Sequence, residues 1–288
     1  DADGTVNPGA IDVPTDGIDQ DCDGTDRCSK ATVHKGDLQF SGDDEKYYPL
    51  CDKYDEVVVE GTLSISNSEF SDLTELDCLC GAGNLRVEYN HELETLTGLE
   101  GIAELDGDLY VVVNSILPSL DGLNNLRSVG GVLFIGTNEV LDDISAISGL
   151  TSVAEDIQIS SNSDLIDLSG LSSLAELGGD LVVEENVDLT SFAGLENLTS
   201  IGGGVYVKNN DALTTMNGLD AVTDIGGALS LEDNTNLGVV VASYIRMRHA
   251  HRLIQMARER HILSFSYLRL ILMASLDWED RINGYYTC

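Results

Sequence analysis

The sequence predicts a mostly β protein: a right-handed parallel β-helix, a solenoid of 24-residue coils. Three observations predict it. An asparagine returns every 24 residues, at Asn114, Asn138, Asn162, Asn186, Asn210 and Asn234. Apolar residues keep the same step, with Leu109, Leu133, Ile157, Leu181, Val205 and Leu229 five before each Asn and Leu117, Leu141, Leu165, Leu189, Leu213 and Leu237 three after. Between these anchors the apolar spacing is two, then three, which leaves no room for a long helix. A period this regular outranks local propensity.

Each part of the coil follows from its spacing. The residues before the Asn alternate apolar and polar, as in Leu133-Phe134-Ile135, and read as a strand with one face inward. After the Asn the step is three, as in Leu117, Leu120, Leu123, Leu126 and Val129. That step places one inward side chain at each corner of a tight 3-10-like path. Glycines at 130–131, 178–179, 202–203 and 226–227 are expected where the chain turns into the next strand. Stacked in register, the strands form a parallel sheet with about 4.8 Å between coils, and parallel crossovers are right-handed. The recurring Asn reads as scaffold: a ladder of side-chain amides satisfying backbone groups that the bend leaves unpaired.

Four segments are expected. Residues 1–27 are an acidic loop, 28–56 an N-terminal cap, 57–238 the solenoid and 239–288 a basic tail. The formal net charge is −35, a field that repels nucleic acid phosphates and anionic membranes and suits a protein that holds cations. The chain opens on Asp1 with no basic-then-apolar leader, which reads as a mature form or a fragment. Five of the six cysteines fall in the first 80 residues, which points to disulfides, an oxidising compartment and an extracellular or cell-surface location.

In the acidic loop, Asp19, Asp21 and Asp23 alternate and Gly24 follows, the first half of a calcium loop. Lys30 stands where an EF-hand has its bidentate Glu, which sets the loop apart from that motif. Asp1 and Asp3, with Gly4, look like the tail of a similar cluster. The string NPGAIDVPTDGIDQDCDGTD resembles the metal-binding motif repeated in MopE-like bacterial surface proteins. Pro8, Gly9, Ala10, Asp16, Gly17, Asp19, Asp21, Cys22, Asp23, Gly24 and Asp26 all align with it. Asp12 replaces a usual Glu, and Thr15 stands near a position where a Cys is frequent. Cys22 is then left to pair with Cys28 or Cys51, or to stay free. The resemblance implies a metal held by Asp1, Asp3, Asp16, Asp19, Asp21, Asp23 and Asp26, and an oxygen-only ligand set favours Ca²⁺ over softer ions. The bland alternative is a solvated acidic linker. It leaves the mutual repulsion of these carboxylates unrelieved.

The cap is expected to carry a short helix around Asp43–Tyr54, interrupted by Pro49, and a Cys28–Cys51 disulfide. It would cover the open, apolar end of the stack. Val57–Ile65 is the first alternating run, and Leu63/Ile65 and Leu85/Val87 mark two imperfect coils. Cys78-Leu79-Cys80 lies between them and reads as a disulfide or buried thiols rather than half a zinc site, since no His neighbour completes one.

Residues such as LRSVGGVLFIGTN and LTSIGGGVYVKNN make the coils resemble the receptor L domain, the leucine-rich-repeat-like ligand-binding module of insulin- and epidermal-growth-factor-type receptors. The resemblance runs from about Val57 to Leu237 and implies a binding module without catalysis. It names no ligand. The candidates for a ligand face are the outward strand aromatics Tyr110, Phe134 and Tyr206, which could meet a protein or a glycan, or serve only as good strand formers.

Other functions find less support. A β-helix enzyme acting on acidic polysaccharide needs a base, a metal and a cation close together, but Arg127 and Lys208 lie far apart in the regular coils. No Ser/His/Asp set stands out. A structural spacer within a larger surface protein is the remaining alternative. Asn197-Leu198-Thr199 is a glycosylation sequon of the short kind that also arises by chance. The tail from 239 carries seven of the fifteen Lys and Arg and four of the fifty Asp and Glu. It reads as a cap helix, as an interfacial segment, or as a frame-shifted end. Its apolar run Ile262–Leu276 is fifteen residues long and contains Arg269, too short for a membrane span, so membrane attachment is not evident.

Overall fold

A computed structural model describes residues 28, 30–42 and 50–237. It is a parallel β-solenoid of about eight turns with about 24 residues per coil. The stack has two sheets. Leu38–Gly42, Val57–Ser68, Leu79–Glu88, Leu109–Val112, Leu133–Gly136, Ile157–Ser160, Leu181–Glu184, Val205–Lys208 and Leu229–Glu232 form the first. The second holds Thr32–His34, the early halves of the two long strands, and then Glu104–Leu105, Ser128–Val129, Ser152–Val153, Glu176–Leu177, Ser200–Ile201 and Asp224–Ile225. Val57–Ser68 and Leu79–Glu88 run unbroken through both sheets, whereas every later described coil divides at a corner, which contains glycine except at 154–156. Pairing is parallel and in register, for example Leu109 with Leu133, Leu133 with Ile157, and Ile157 with Leu181.

The inward ladder positions are sealed. Leu109, Leu133, Ile157, Leu181 and Val205 have no exposed surface, nor do Leu117, Leu141, Leu165, Leu189 and Leu213. Burying each such side chain stabilises the fold by about 1.5–3 kcal/mol relative to exposure. The step-three path forms the third side of the coil. Three coils close it with a single 3-10 turn, at Thr74–Leu76, Ser145–Ile147 and Ser169–Leu171. Four others use a glycine with positive φ at the equivalent place: Gly98, Gly122, Gly194 and Gly218. A Cβ on Gly122 would run into the carbonyl of Leu96 one coil back, so the site requires glycine for space as well as for conformation.

The Asn ladder is the internal seam. Asn90, Asn114, Asn138, Asn162, Asn186 and Asn210 are fully buried. Asn162 is representative: its Oδ1 accepts from the backbone N–H of Asn138 (3.2 Å) and from Asn138 Nδ2 (3.2 Å), and its Nδ2 donates to the Ile135 carbonyl (3.0 Å). Each amide thus reaches back to the preceding coil. The residue just before each Asn is left-handed, at Tyr89, Val113, Thr137, Ser161, Glu185, Asn209 and Asp233, with φ between 54° and 61°. This turns the chain off the strand without glycine, so composition gave no hint of it.

The paired glycines stand at the bends into the next strand as expected, but not for the expected conformational reason. None of Gly130, Gly131, Gly178, Gly179, Gly202 and Gly203 has positive φ. They are small because neighbouring coils come too close. Asp156 Oδ1 accepts the N–H of Asp180 (2.7 Å), and Asp180 Oδ1 accepts the N–H of Gly204 (2.6 Å). These carboxylates lie over Gly179 and Gly203, where a Cβ would strike them.

The N-terminal segment departs from the sequence reading in three ways. Thr32–His34 and Leu38–Gly42 pair in parallel with Val57–Ser68, so the stack starts before Val57. One short alternation, Leu38-Gln39-Phe40, with a register shift between Phe40 and Gly42, was too brief to read as a coil. The described helix is one turn, Leu50–Lys53; the rest of the expected helix, 43–49, lies outside the described residues. Cys28 and Cys51 do not pair with each other. The bridges are Cys28–Cys80 and Cys51–Cys78, with Cα–Cα distances of 5.4 and 5.3 Å. Parallel stacking brings each early cysteine beside the Leu79 strand rather than beside its neighbour in sequence. Both bridges therefore pin the first segment to that strand, and the C-x-C pair is consumed by two separate disulfides.

Candidate functional site

The expected metal ligands Asp1, Asp3, Asp16, Asp19, Asp21, Asp23 and Asp26 lie outside the described residues, as does the basic tail from 239. Within the described residues no group of three or more His, Cys, Asp or Glu could hold a metal ion. No helix among them is long and apolar enough to cross a membrane. The acidic loop leads into Cys28, which is anchored firmly: its N–H donates to Glu56 Oε1 (2.8 Å) and its sulfur is bonded to Cys80.

The ligand-face candidates are resolved in full. Register places Arg86, Tyr110, Phe134, Gln158, Val182, Tyr206 and Ser230 in one outward column of the first sheet. Beside it run Glu88, Val112, Gly136, Ser160, Glu184, Lys208 and Glu232. Tyr110, Phe134 and Tyr206 are each partly exposed. The structure brings two of the three together. Tyr110 and Phe134 meet edge to face, 5.7 Å between centroids at 80°. Tyr206 stands three coils beyond Phe134, about 14 Å at the usual strand spacing.

Arg86 was not expected at this site. Its guanidinium lies 4.1 Å from the Tyr110 ring centroid and is held by Glu88 (3.3 Å) and Asp108 (4.0 Å). It sits one residue before an inward valine in an imperfect coil, and only the register shows that it stacks under Tyr110. Cation–π contact fixes the ring.

A second surface is a shallow groove of about 510 Å³ over the second sheet, floored by Gly178, Gly202 and Gly226 and edged by Ser152, Glu176 and Asp224. On the third side, His91 Nδ1 lies 2.7 Å from Ser115 Oγ. The contact matches other rung-to-rung bonds, such as Ser161 to Glu185 and Thr235 to Asp211, and among the described residues no carboxylate is bonded to the ring.

Against known families, one model matches: the MopE type named for copper binding, described as "putative metal-binding motif", over residues 1–26. That match does not extend into the coils. No curated protein and no solved structure matches the chain. The matched segment is the acidic loop and ends two residues short of Cys28.

Proposed function

We propose that the protein is a non-catalytic binding or adhesion module of the cell surface or extracellular space, with the first sheet as its ligand face and an N-terminal segment that holds Ca²⁺. The observation that carries the first part is the flat, in-register sheet whose outward column holds partly exposed Tyr110, Phe134 and Tyr206. Exposed aromatics on a rigid platform favour binding, since little side-chain entropy is lost on contact. The two disulfides are consistent with an oxidising, extracellular setting. The matched motif over residues 1–26 supports a metal, and its carboxylate-rich donor set favours a hard cation.

Two experiments test this. Calorimetric titration of Ca²⁺ into the chelator-treated chain is expected to give a saturable heat that the triple change Asp19→Asn, Asp21→Asn, Asp23→Asn abolishes. A Cu²⁺ isotherm that is saturable while Ca²⁺ gives none overturns the calcium assignment. For the ligand face, alanine at Tyr110, Phe134 and Tyr206 together is expected to abolish binding of any ligand found on glycan or protein arrays. Unchanged binding would sink the assignment.

A further inference from the structure

The aromatic column is built unevenly, and the differences point to one kind of occupant. Phe134 leans along its own strand: the ring edge takes the space that a side chain at Gly136 would fill. Tyr206 leans the opposite way, over Gly204. Both rings lie along the sheet rather than standing from it, and the line joining them crosses the coils diagonally. Tyr110 is different. It is clasped by Arg86 on one side and Phe134 on the other, and closes the run at that end.

The stretch between the rings holds polar groups that the described fold does not use. Gln158 and Val182 fill the two intervening places in the column, and Ser160 stands beside Gln158. The side chains of Gln158 and Ser160 are partly exposed and make no hydrogen bond among the described residues. Neighbouring polar side chains elsewhere on the surface are bonded across coils, as Ser161 is to Glu185. Here a free amide and a free hydroxyl lie between two rings.

Charge selects further. Arg86 is matched by Glu88 and Asp108. Lys208, the other cation of this face, is flanked in register by Glu184 and Glu232. The face therefore presents no surplus positive charge, in a chain of net charge −35. A polyanion would be repelled. Sugar rings offer apolar C–H faces to aromatics and hydroxyls to amides, with no charge to oppose.

We propose that the first sheet binds a neutral, extended glycan chain that crosses the coils from Phe134 to Tyr206, packing on both rings and hydrogen-bonding Gln158 and Ser160 between them. The proposal rests on the reading of the first sheet as the ligand face, and adds the chemical class and the path. The two strands are three spacings, about 14 Å, apart and the rings lean away from each other along them, so a single sugar reaches one of them and an oligomer both.

The test is native affinity electrophoresis of the whole chain in gels carrying hydroxyethylcellulose, arabinoxylan, galactomannan or alginate. At least one neutral polymer is expected to retard the protein, equally at low and high salt, with free monosaccharide competing poorly. Phe134→Ala and Tyr206→Ala should each weaken retardation roughly tenfold, the size of a lost aromatic contact. The double change Gln158→Ala, Ser160→Ala, at partly exposed positions whose side chains bond to nothing else in the described fold, should also weaken it. Tyr89→Ala, an exposed aromatic at the corner two rungs before Phe134 and outside the path to Tyr206, should leave it unchanged. Retardation by alginate alone, or retardation by a neutral polymer that all of these variants retain, overturns the proposal. So does retardation by none of the polymers. A protein ligand that depends on Tyr110, Phe134 and Tyr206, with no neutral polymer bound, would overturn the glycan while leaving the ligand face standing.

Discussion

Replacing Asn162 with alanine isolates what the buried ladder contributes. Asn162 has no exposed surface, and its amide makes three bonds to the preceding coil: two accepted from Asn138 and one donated to the Ile135 carbonyl. The change leaves the Asn138 N–H buried with no acceptor, which costs about 1–3 kcal/mol. The Asn138 Nδ2 keeps its bond to Val111, and a carbonyl has a second lone pair, so the other two losses are nearer the ordinary net value of about 1 kcal/mol each. The expected destabilisation is therefore about 3–5 kcal/mol. Asn234 is the control. It makes the same kind of bond to the Asn210 N–H (3.0 Å) but is only partly buried, so water can replace it. Asn234→Ala should cost less than about 1 kcal/mol. Urea unfolding followed by circular dichroism measures both, provided the m-value is unchanged. Equal losses for the two variants, or a loss below about 1 kcal/mol at Asn162, would refute the idea that buried amide satisfaction drives the ladder.

Three further outcomes are expected. Gly179→Ala should destabilise by about 1–3 kcal/mol, because its methyl meets the Asp156 carboxylate; in an Asp156→Ala background the loss should shrink, which a double-mutant cycle reads directly. Replacing Cys51 and Cys78 together by serine opens a loop with a sequence separation of 27, worth up to about 3.5 kcal/mol in the chain-entropy account. Limited proteolysis should then cut before Leu79 first, with the later coils still resistant. Asp72 titrates below the usual carboxylate range because the Thr74 hydroxyl and backbone N–H both donate to it. A depressed carboxyl adds stability above its ordinary range and loses it as pH falls through the folded value. Thr74→Val should therefore move the Asp72 titration upward in an NMR pH series.

How much of this was legible depended on whether a feature repeats. Asn114 to Asn234 and the leucines around them announced the coil, because the same physical demand recurs in every rung. Features that occur once were lost. Leu38–Gly42 shows too little alternation to be seen as a rung, and the pairing of Cys28 with Cys80 depends on which segments stack, which no spacing encodes. Some repeating features were placed rightly for the wrong physical reason. The glycine pairs do stand at the bends into the next strand, but the reason is space rather than left-handed backbone: Asp156 and Asp180 pack over the next coil there. Of the left-handed corners before the ladder asparagines, only Asn209 and Asp233 carry residue types that favour them; Tyr89, Val113, Thr137 and Ser161 signal nothing of the kind. Tyr110, Phe134 and Tyr206 were legible as outward residues, but their inequality was not. Arg86 beneath Tyr110 and the empty places at Gly136 and Gly204 appear only once the register is known.

The backward reach of each asparagine has a consequence for how such a chain can change over generations. Asn138 and Asn162 occupy the same place in successive rungs and make the same bonds, each to the rung behind it. Joining Asn138 directly to Ser163 would bring Ser163, Asp164 and Leu165 where Glu139, Val140 and Leu141 had led, and Asn186 would then accept the Asn138 N–H in place of Asn162. Every seam bond would be remade. Loss or duplication of one unit in the gene would thus shorten or lengthen the rod by a single step and leave both ends as they were. Length is the property that selection can adjust most freely here, and the number of rungs separating one ring from the next would be adjusted with it.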